Sequence, residues 1–176
     1  MNINIRTESK YDKDLIYNII EEAFRTAEHS DGDEQNLVNR LRESKSFIQS
    51  LSLVAEIDNN IVGHILFTKC YIVEGKERKE SLALAPLSVL PKYQNVGVGT
   101  KLINEGIKMA KELGYSSIIV LGSEKYYPKF GFCEAKEFNI KAPFDVPSEN
   151  FMVIELRKGA LSNISGTVEY AKEFFA

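Results

Sequence analysis

Long hydrophobic runs are missing from this chain of 176 residues. The two longest, Ile118–Leu121 and Leu82–Leu90, fall far short of the ~20 apolar residues that a membrane-spanning helix needs. A basic excess is missing too: 22 Lys and Arg against 25 Asp and Glu leave a net charge of −3 and a pI near 5.6. Phosphate neutralisation drives nucleic-acid affinity, so no nucleic-acid partner is expected. The start, Met1-Asn2-Ile3-Asn4-Ile5-Arg6, has no apolar block behind basic residues, so no export signal is expected. Only two cysteines occur, Cys70 and Cys133, far apart and without metal or redox spacing. They read as free thiols of a reducing compartment, which makes a cytoplasmic protein without a metal the expectation. No linker, internal repeat or low-complexity tract divides the chain. What remains, 44% hydrophobic and 27% charged residues, is the mixture of one soluble globular domain over residues 1–176.

The hydrophobic pattern alternates between the strand and helix periods. Asn2–Arg6 alternates as a half-buried strand. Leu15, Ile16, Ile19, Ile20, Ala23, Phe24 and Ala27 then form a helical stripe, with Asp12 placed as its N-cap. The turn residues His29–Glu34 end it, and Leu37, Val38 and Leu41 mark a second helix. Leu51–Ile57 and Ile61–Phe67 read as a hairpin around Asp58-Asn59-Asn60. The charged stretch Glu74–Glu80 reads as another turn before a long apolar strand, Leu82–Leu90. A third helix buries Val98, Leu102, Ile103, Ile107, Ala110 and Leu113 and closes at Gly114. Ile118–Leu121 and Phe151–Leu156 are later strands. The predicted class is a single α/β (α+β) domain.

Strand, glycine turn, helix is the informative order. Gly97 and Gly99 let the backbone approach a ligand closely, and the N–H groups there open the helix that starts at Val98. Unpaired donors and the helix dipole favour a phosphate or pyrophosphate at that point. The two familiar phosphate loops do not fit. Thr100-Lys101 stands in reverse order for a triphosphate loop, and Gly97-Val98-Gly99-Thr100-Lys101-Leu102 lacks the third glycine of the dinucleotide fingerprint.

Gln94-x-x-Gly97-x-Gly99, behind Leu87-Ser88-Val89-Leu90-Pro91, resembles the acyl-CoA-binding signature of the GNAT superfamily of N-acetyltransferases. Tyr126-Tyr127-Pro128-Lys129-Phe130-Gly131-Phe132 is similar to that family's second motif, an aromatic helix that ends at a Gly-Phe strand start. Ile61–Ile65, Ala85-Pro86-Leu87, Val120-Leu121-Gly122, Phe151-Met152 and Gly166-Thr167-Val168 resemble one bacterial branch of it, the YhbS-type proteins. The resemblance runs from Ile3 to about Tyr170.

It implies a mixed, mostly antiparallel central sheet flanked by helices, whose central strands splay to form an acyl-CoA cleft. Acetyl-CoA is the implied cosubstrate and an amine on a small molecule or peptide the implied acceptor. By the same resemblance the backbone of Leu87, Ser88 and Val89 pairs with the pantetheine arm. Gln94 belongs to the signature, and Asn95, Val96, Gly97, Val98, Gly99 and Thr100 hold the pyrophosphate through main-chain N–H groups. The N–H of Val89 would polarise the thioester carbonyl. Tyr127 would protonate the departing thiolate, with Tyr126 as the alternative. The chain departs from the family twice. Val120 stands where many members have a cofactor-binding asparagine, and Leu82–Val89 lacks the glutamate that often serves as base. His64, Glu80, an acid of the His29–Glu34 loop, or water would take that role. Homodimer formation stays open, as does the alternative of a non-catalytic acyl-CoA-binding module.

Overall fold

A computed structural model describes residues 1–176. Nine strands form one sheet. Strand β1 (Asn4–Thr7) pairs with β2 (Ser52–Ile57), which pairs with β3 (Asn60–Glu74), which pairs with β4 (Glu77–Val89), all antiparallel. The β2–β3 turn places Asp58 and Asn59 at φ of +51° and +64°. Asp and Asn tolerate this conformation better than other non-glycine residues, as the hairpin reading required.

Strand β5 (Ser117–Leu121) then joins β4 in parallel, the one change of direction along this path. Beyond it lie β8 (Phe151–Glu155) and β6 (Cys133–Glu134). Strand β9 (Gly166–Glu169) caps the far end of β3 and pairs with the short β7 (Ile140–Lys141). A sheet of mixed, mostly antiparallel character is what the resemblance implied.

The β4–β5 contact is short. It spans Leu82–Leu84 of β4 against Ile118–Val120 of β5 and stops there. Immediately beyond, the β3–β4 register slips, leaving Ala85 and Pro86 outside the ladder. Proline brings no N–H to a ladder, and a bulge bends its strand. The local sequence Ala85-Pro86 thus accounts for the point at which the two strands part.

Helix α1 (Lys13–Phe24) and helix α2 (Glu34–Arg42) cover one face of the sheet, and α3 (Val98–Glu112) covers the other. Helix α3 buries Val98, Leu102, Ile103, Ile107 and Ala110 against β2–β5. Leu113, expected on that face, is 45% exposed, because it is the C-cap and the left-handed Gly114 (φ +88°) turns the chain away beside it. Leu15, expected in the α1 stripe, is also solvent-facing. Asp12 precedes α1 as expected but leaves the helix amides alone. Its carboxylate pairs with Arg6 at 2.7 Å and accepts the Ser9 N–H at 2.7 Å. A guanidinium outbids a helix N–H for the carboxylate, since a charged donor makes the stronger bond. The Glu74–Glu80 turn is shorter than expected. Only the Gly75 corner turns, and Glu77–Glu80 extend β4 opposite Tyr71–Glu74.

Gly106 joins α3 to the sheet. A β-carbon there would lie 2.3 Å from the ring of Phe67, so the ring fills the place a side chain would take. Phe67 is fully buried at the centre of the main core.

Candidate functional site

Between β4 and α3 the chain passes through two left-handed residues, Asn95 (φ +63°) and Gly97 (φ +97°). Alternating hands in consecutive residues aim their N–H groups into one concavity. Gly97 is also the N-cap of α3, so the first free amides of that helix open onto the same place. A cavity of about 430 Å³ lies over it, lined by Leu87, Val89, Gln94, Asn95, Gly97, Gly99, Thr100, Tyr126 and Lys129. Nothing lies within 4 Å of where a Gly97 β-carbon would be, so this side of the turn is open to a ligand.

Several of the expected cofactor residues therefore meet in one cavity, and three stand apart. Val96 is half-exposed outside it, and Val98 is buried in the core against Gly63. Their side chains lie outside the cavity. Ser88 is different. The Leu90 N–H donates to the Val62 carbonyl at 2.9 Å, and antiparallel bonding alternates every second residue. Ser88 is thus the next residue whose backbone bonds to β3, opposite His64. Leu87 and Val89 present their backbone groups to the other side, where β5 has parted. Val89 keeps its N–H open there while its carbonyl accepts the Gln94 Nε2 at 3.1 Å.

The two tyrosines divide. Tyr126 lines the cavity, with its hydroxyl 2.7 Å from where a Gly99 β-carbon would stand and Lys129 Nζ 4.7 Å from its ring centre. Tyr127 opens a short 3-10 turn, Tyr127–Phe130, on the β5 side of the parting. Its ring lies on Gly122, where a β-carbon would come within 2.4 Å, and stacks edge-on against Phe132 with centroids 5.7 Å apart. Burial pushes the Tyr127 phenol well above its ordinary value, with the Tyr126 hydroxyl adding to the shift, so Tyr127 stays protonated at neutral pH.

His64 is fully buried on the α1/α2 face, in a polar network that the sequence did not disclose. Its Nε2 lies 2.9 Å from Ser52 Oγ and 3.5 Å from Glu8 Oε1; Ser52 also donates to that carboxylate. Arg42 Nε pairs with the other oxygen at 2.9 Å. Burial disfavours the Glu8 charge. The bonds from His64 and Ser52 and the Arg42 guanidinium outweigh it and hold the carboxyl down at about 2. Burial lowers His64, against the pull of Glu8, so the imidazole is neutral. Glu8 and Arg42 come from a loop and a helix far apart in sequence, and no spacing signals their meeting. The His64 Nδ1 and the Ser88 Oγ, on facing residues of β3 and β4, are both buried without a partner.

The other acids named in the sequence lie elsewhere. Glu80 is exposed on the β3–β4 arm, on the far side of the β4–β5 contact from the cavity. In the α1–α2 loop Asp33 pairs with Arg40 at 2.9 Å, and Glu34 accepts the Ser30 hydroxyl. Lys101 donates to the Ile3 carbonyl at 2.9 Å, which leaves Lys129 as the lysine at the cavity.

The parting of β4 from its parallel neighbour thus leaves free backbone groups beside an amide-lined turn. Residues 13–132 match the model of the acetyltransferase (GNAT) family. The chain belongs to the GNAT acetyltransferase family. It is 40% identical to the uncharacterised N-acetyltransferase YjhQ of Escherichia coli over 119 residues, 66% of this chain and 65% of that protein. It is 32% identical to the uncharacterised N-acetyltransferase YhbS of the same species over 156 residues, 88% of this chain and 90% of that one. The crystal structure of E. coli YhbS in complex with CoA superimposes with a TM-score of 0.85 at 28% identity, over 100% of this chain and 93% of that one. A GNAT acetyltransferase from Brucella melitensis in complex with acetyl-CoA gives 0.81 at 32% identity, over 98% of each chain. Val120, where the resemblance placed a cofactor-binding asparagine in many members, lies fully in the core of this GNAT domain.

Proposed function

We propose that the protein transfers an acetyl group from acetyl-CoA to a primary amine of a small molecule or polypeptide, by direct attack of the amine on the thioester, in the cytoplasm and without a metal. The observation that carries this reading is the pair of open backbone positions, Leu87 and Val89, beside the Asn95–Gly99 turn. Leu87 and Val89 offer a strand edge to the pantetheine amides. The turn and the first amides of α3 offer donors to the pyrophosphate, and Lys129 offers a cation nearby.

The neutral amine nitrogen attacks the thioester carbonyl carbon, and the Val89 N–H stabilises the charge that gathers on the oxygen. The carbon–sulfur bond breaks, Tyr127 gives its proton to the thiolate, and the nitrogen loses its surplus proton to water. His64 is assigned to folding, since it is neutral, enclosed and already bonded to Ser52. Glu80 is assigned to the surface.

The test is release of free thiol from acetyl-CoA with a panel of amines, accompanied by mass detection of the acetylated product. Amine-dependent thiol release with one acetyl added per thiol is the expected result. A second reading, a regulatory module that binds acyl-CoA without turnover, draws on the absence of any carboxylate at the cavity. Tight CoA binding with no amine-dependent thiol would establish it in place of the first.

A further inference from the structure

On the opposite face of the sheet from α3, a second cavity of about 260 Å³ opens at the same parting of β4 and β5. Its floor is Leu84 and Ala85 of β4 with Ile119 and Leu121 of β5. Leu84 is the last β4 residue paired with β5, and Leu87, three positions on, already lines the cofactor cavity. The two cavities thus flank one short stretch of β4, Ala85–Leu87. Leu37 of α2 and Phe174 and Phe175 near the end of the chain supply the walls.

Eight of the nine lining residues are wholly apolar, the ninth, Tyr170, brings one phenol hydroxyl, and no charged group reaches the cavity. Leu121, Phe144 and Phe175 are 45%, 39% and 65% exposed around its mouth, an unusual concentration of wet apolar surface. In the α1–α2 loop Asp33 and Glu34 are engaged with Arg40 and Ser30, and no carboxylate lines the cavity. An apolar cavity of about 150 Å³ suffices for benzene, so this one holds a ring or a branched alkyl group with a short chain.

We infer that the acetyl acceptor is a primary amine borne on an aryl or short branched-alkyl group, which seats in the cavity between Leu84, Ile119, Leu121 and Phe174 and directs its nitrogen toward the β4–β5 parting. This rests on the acetyl-transfer reading above and narrows its substrate class. Apolar walls also disfavour the ammonium form of a bound amine, which supplies neutral nucleophile without a dedicated base. The missing acid on Leu82–Val89 then needs no replacement.

The experiment compares 2-phenylethylamine and isopentylamine with ethanolamine and putrescine, by thiol release and by calorimetric titration of each amine into the CoA-loaded protein. The apolar amines are expected to exceed the polar pair in kcat/KM by at least roughly tenfold, the worth of two buried methylenes. Leu121→Gln, at a half-exposed position, should raise KM for 2-phenylethylamine by a similar factor and leave the CoA affinity unchanged. Acetylation of the polar amines alone would overturn the inference and leave the acetyltransferase reading standing. No thiol release with any amine would overturn that reading instead. The cavity would then be judged by calorimetry: 2-phenylethylamine binding that Leu121→Gln weakens supports the apolar site, and no binding overturns it. A dimer in sedimentation that Phe175→Ser dissociates, with amine kinetics unchanged, would show that a second copy covers this face and would also overturn the inference.

Discussion

The hydroxyl of Tyr126 stands where a β-carbon of Gly99 would otherwise be, 2.7 Å from the built position. Glycine at 99 therefore lets an aromatic residue from beyond β5 reach across to the start of α3 and close one wall of the cavity over the Asn95–Gly99 turn. Gly99→Ala should push the Tyr126 ring outward and weaken CoA binding by roughly tenfold, about 1.4 kcal/mol, with little loss of Tm. Titration calorimetry with CoA checks this, and Tyr126→Phe in the Gly99→Ala background should restore part of the affinity.

Gly97 calls for a different substitution. Space around it is open but its φ is +97°, so the cost of a side chain is conformational, about 1–2 kcal/mol. Gly97→Ala should bind CoA with modest loss. Gly97→Glu adds an anion where the pyrophosphate is proposed to lie and should abolish binding in a folded protein. Unchanged CoA affinity in Gly97→Glu would move the site elsewhere.

Tyr127→Phe removes the proposed proton donor and keeps the ring that packs on Gly122 and Phe132. Turnover should fall by roughly 10²-fold with acetyl-CoA affinity little changed. Because burial raises the phenol, wild-type activity should rise with pH as the amine deprotonates and show no falling limb near the ordinary tyrosine value of about 10. Equal turnover in the variant would remove Tyr127 from the mechanism, and Tyr126→Phe would be the next measurement.

Acid should unfold the protein through Glu8 and His64 together. The Glu8 carboxyl is depressed to about 2, so its stabilisation is complete above the unfolded value near 4.3 and fades as pH falls toward 2. His64 is depressed from its ordinary value near 6.5, so protonation favours the unfolded chain once pH drops below that value. Tm should therefore decline from about pH 6.5 downward. Glu8→Gln should cost on the order of 2–3 kcal/mol at pH 7 and flatten the decline below pH 4.5. His64→Ala should lower Tm and leave turnover of the folded enzyme near normal; lost turnover with normal Tm would return His64 to the candidate bases.

Gly106→Ala should destabilise although alanine favours a helix. The gain in propensity is at most about 1 kcal/mol, whereas a β-carbon 2.3 Å from the Phe67 ring costs about 1–3 kcal/mol. Phe67→Leu in the same chain should recover part of the loss, measured by denaturant midpoint.

The sequence by itself determined the elements and the glycine turn before α3. Period-2 and period-3.6 patterns mark β2, α1, α2 and α3 to within a few residues and the first half of β3, because each element buries one face and its spacing records which. Gly97 and Gly99 are legible for the same local reason: a left-handed N-cap and a close approach need glycine wherever they occur. Only the tertiary structure decided how those pieces meet. Ser88 and Val89 are neighbours in the chain, yet the β3 ladder sends one backbone inward and the other to the cleft. Tyr126 and Tyr127 are adjacent letters that part to the cavity and to the core. Glu8, Arg42, Ser52 and His64 carry no shared spacing and join only because α2 and β1–β3 pack together. Contacts set by long-range packing leave no period in the sequence, which is why the polar network and the apolar cavity at Leu84 and Ile119 become visible only in the folded chain.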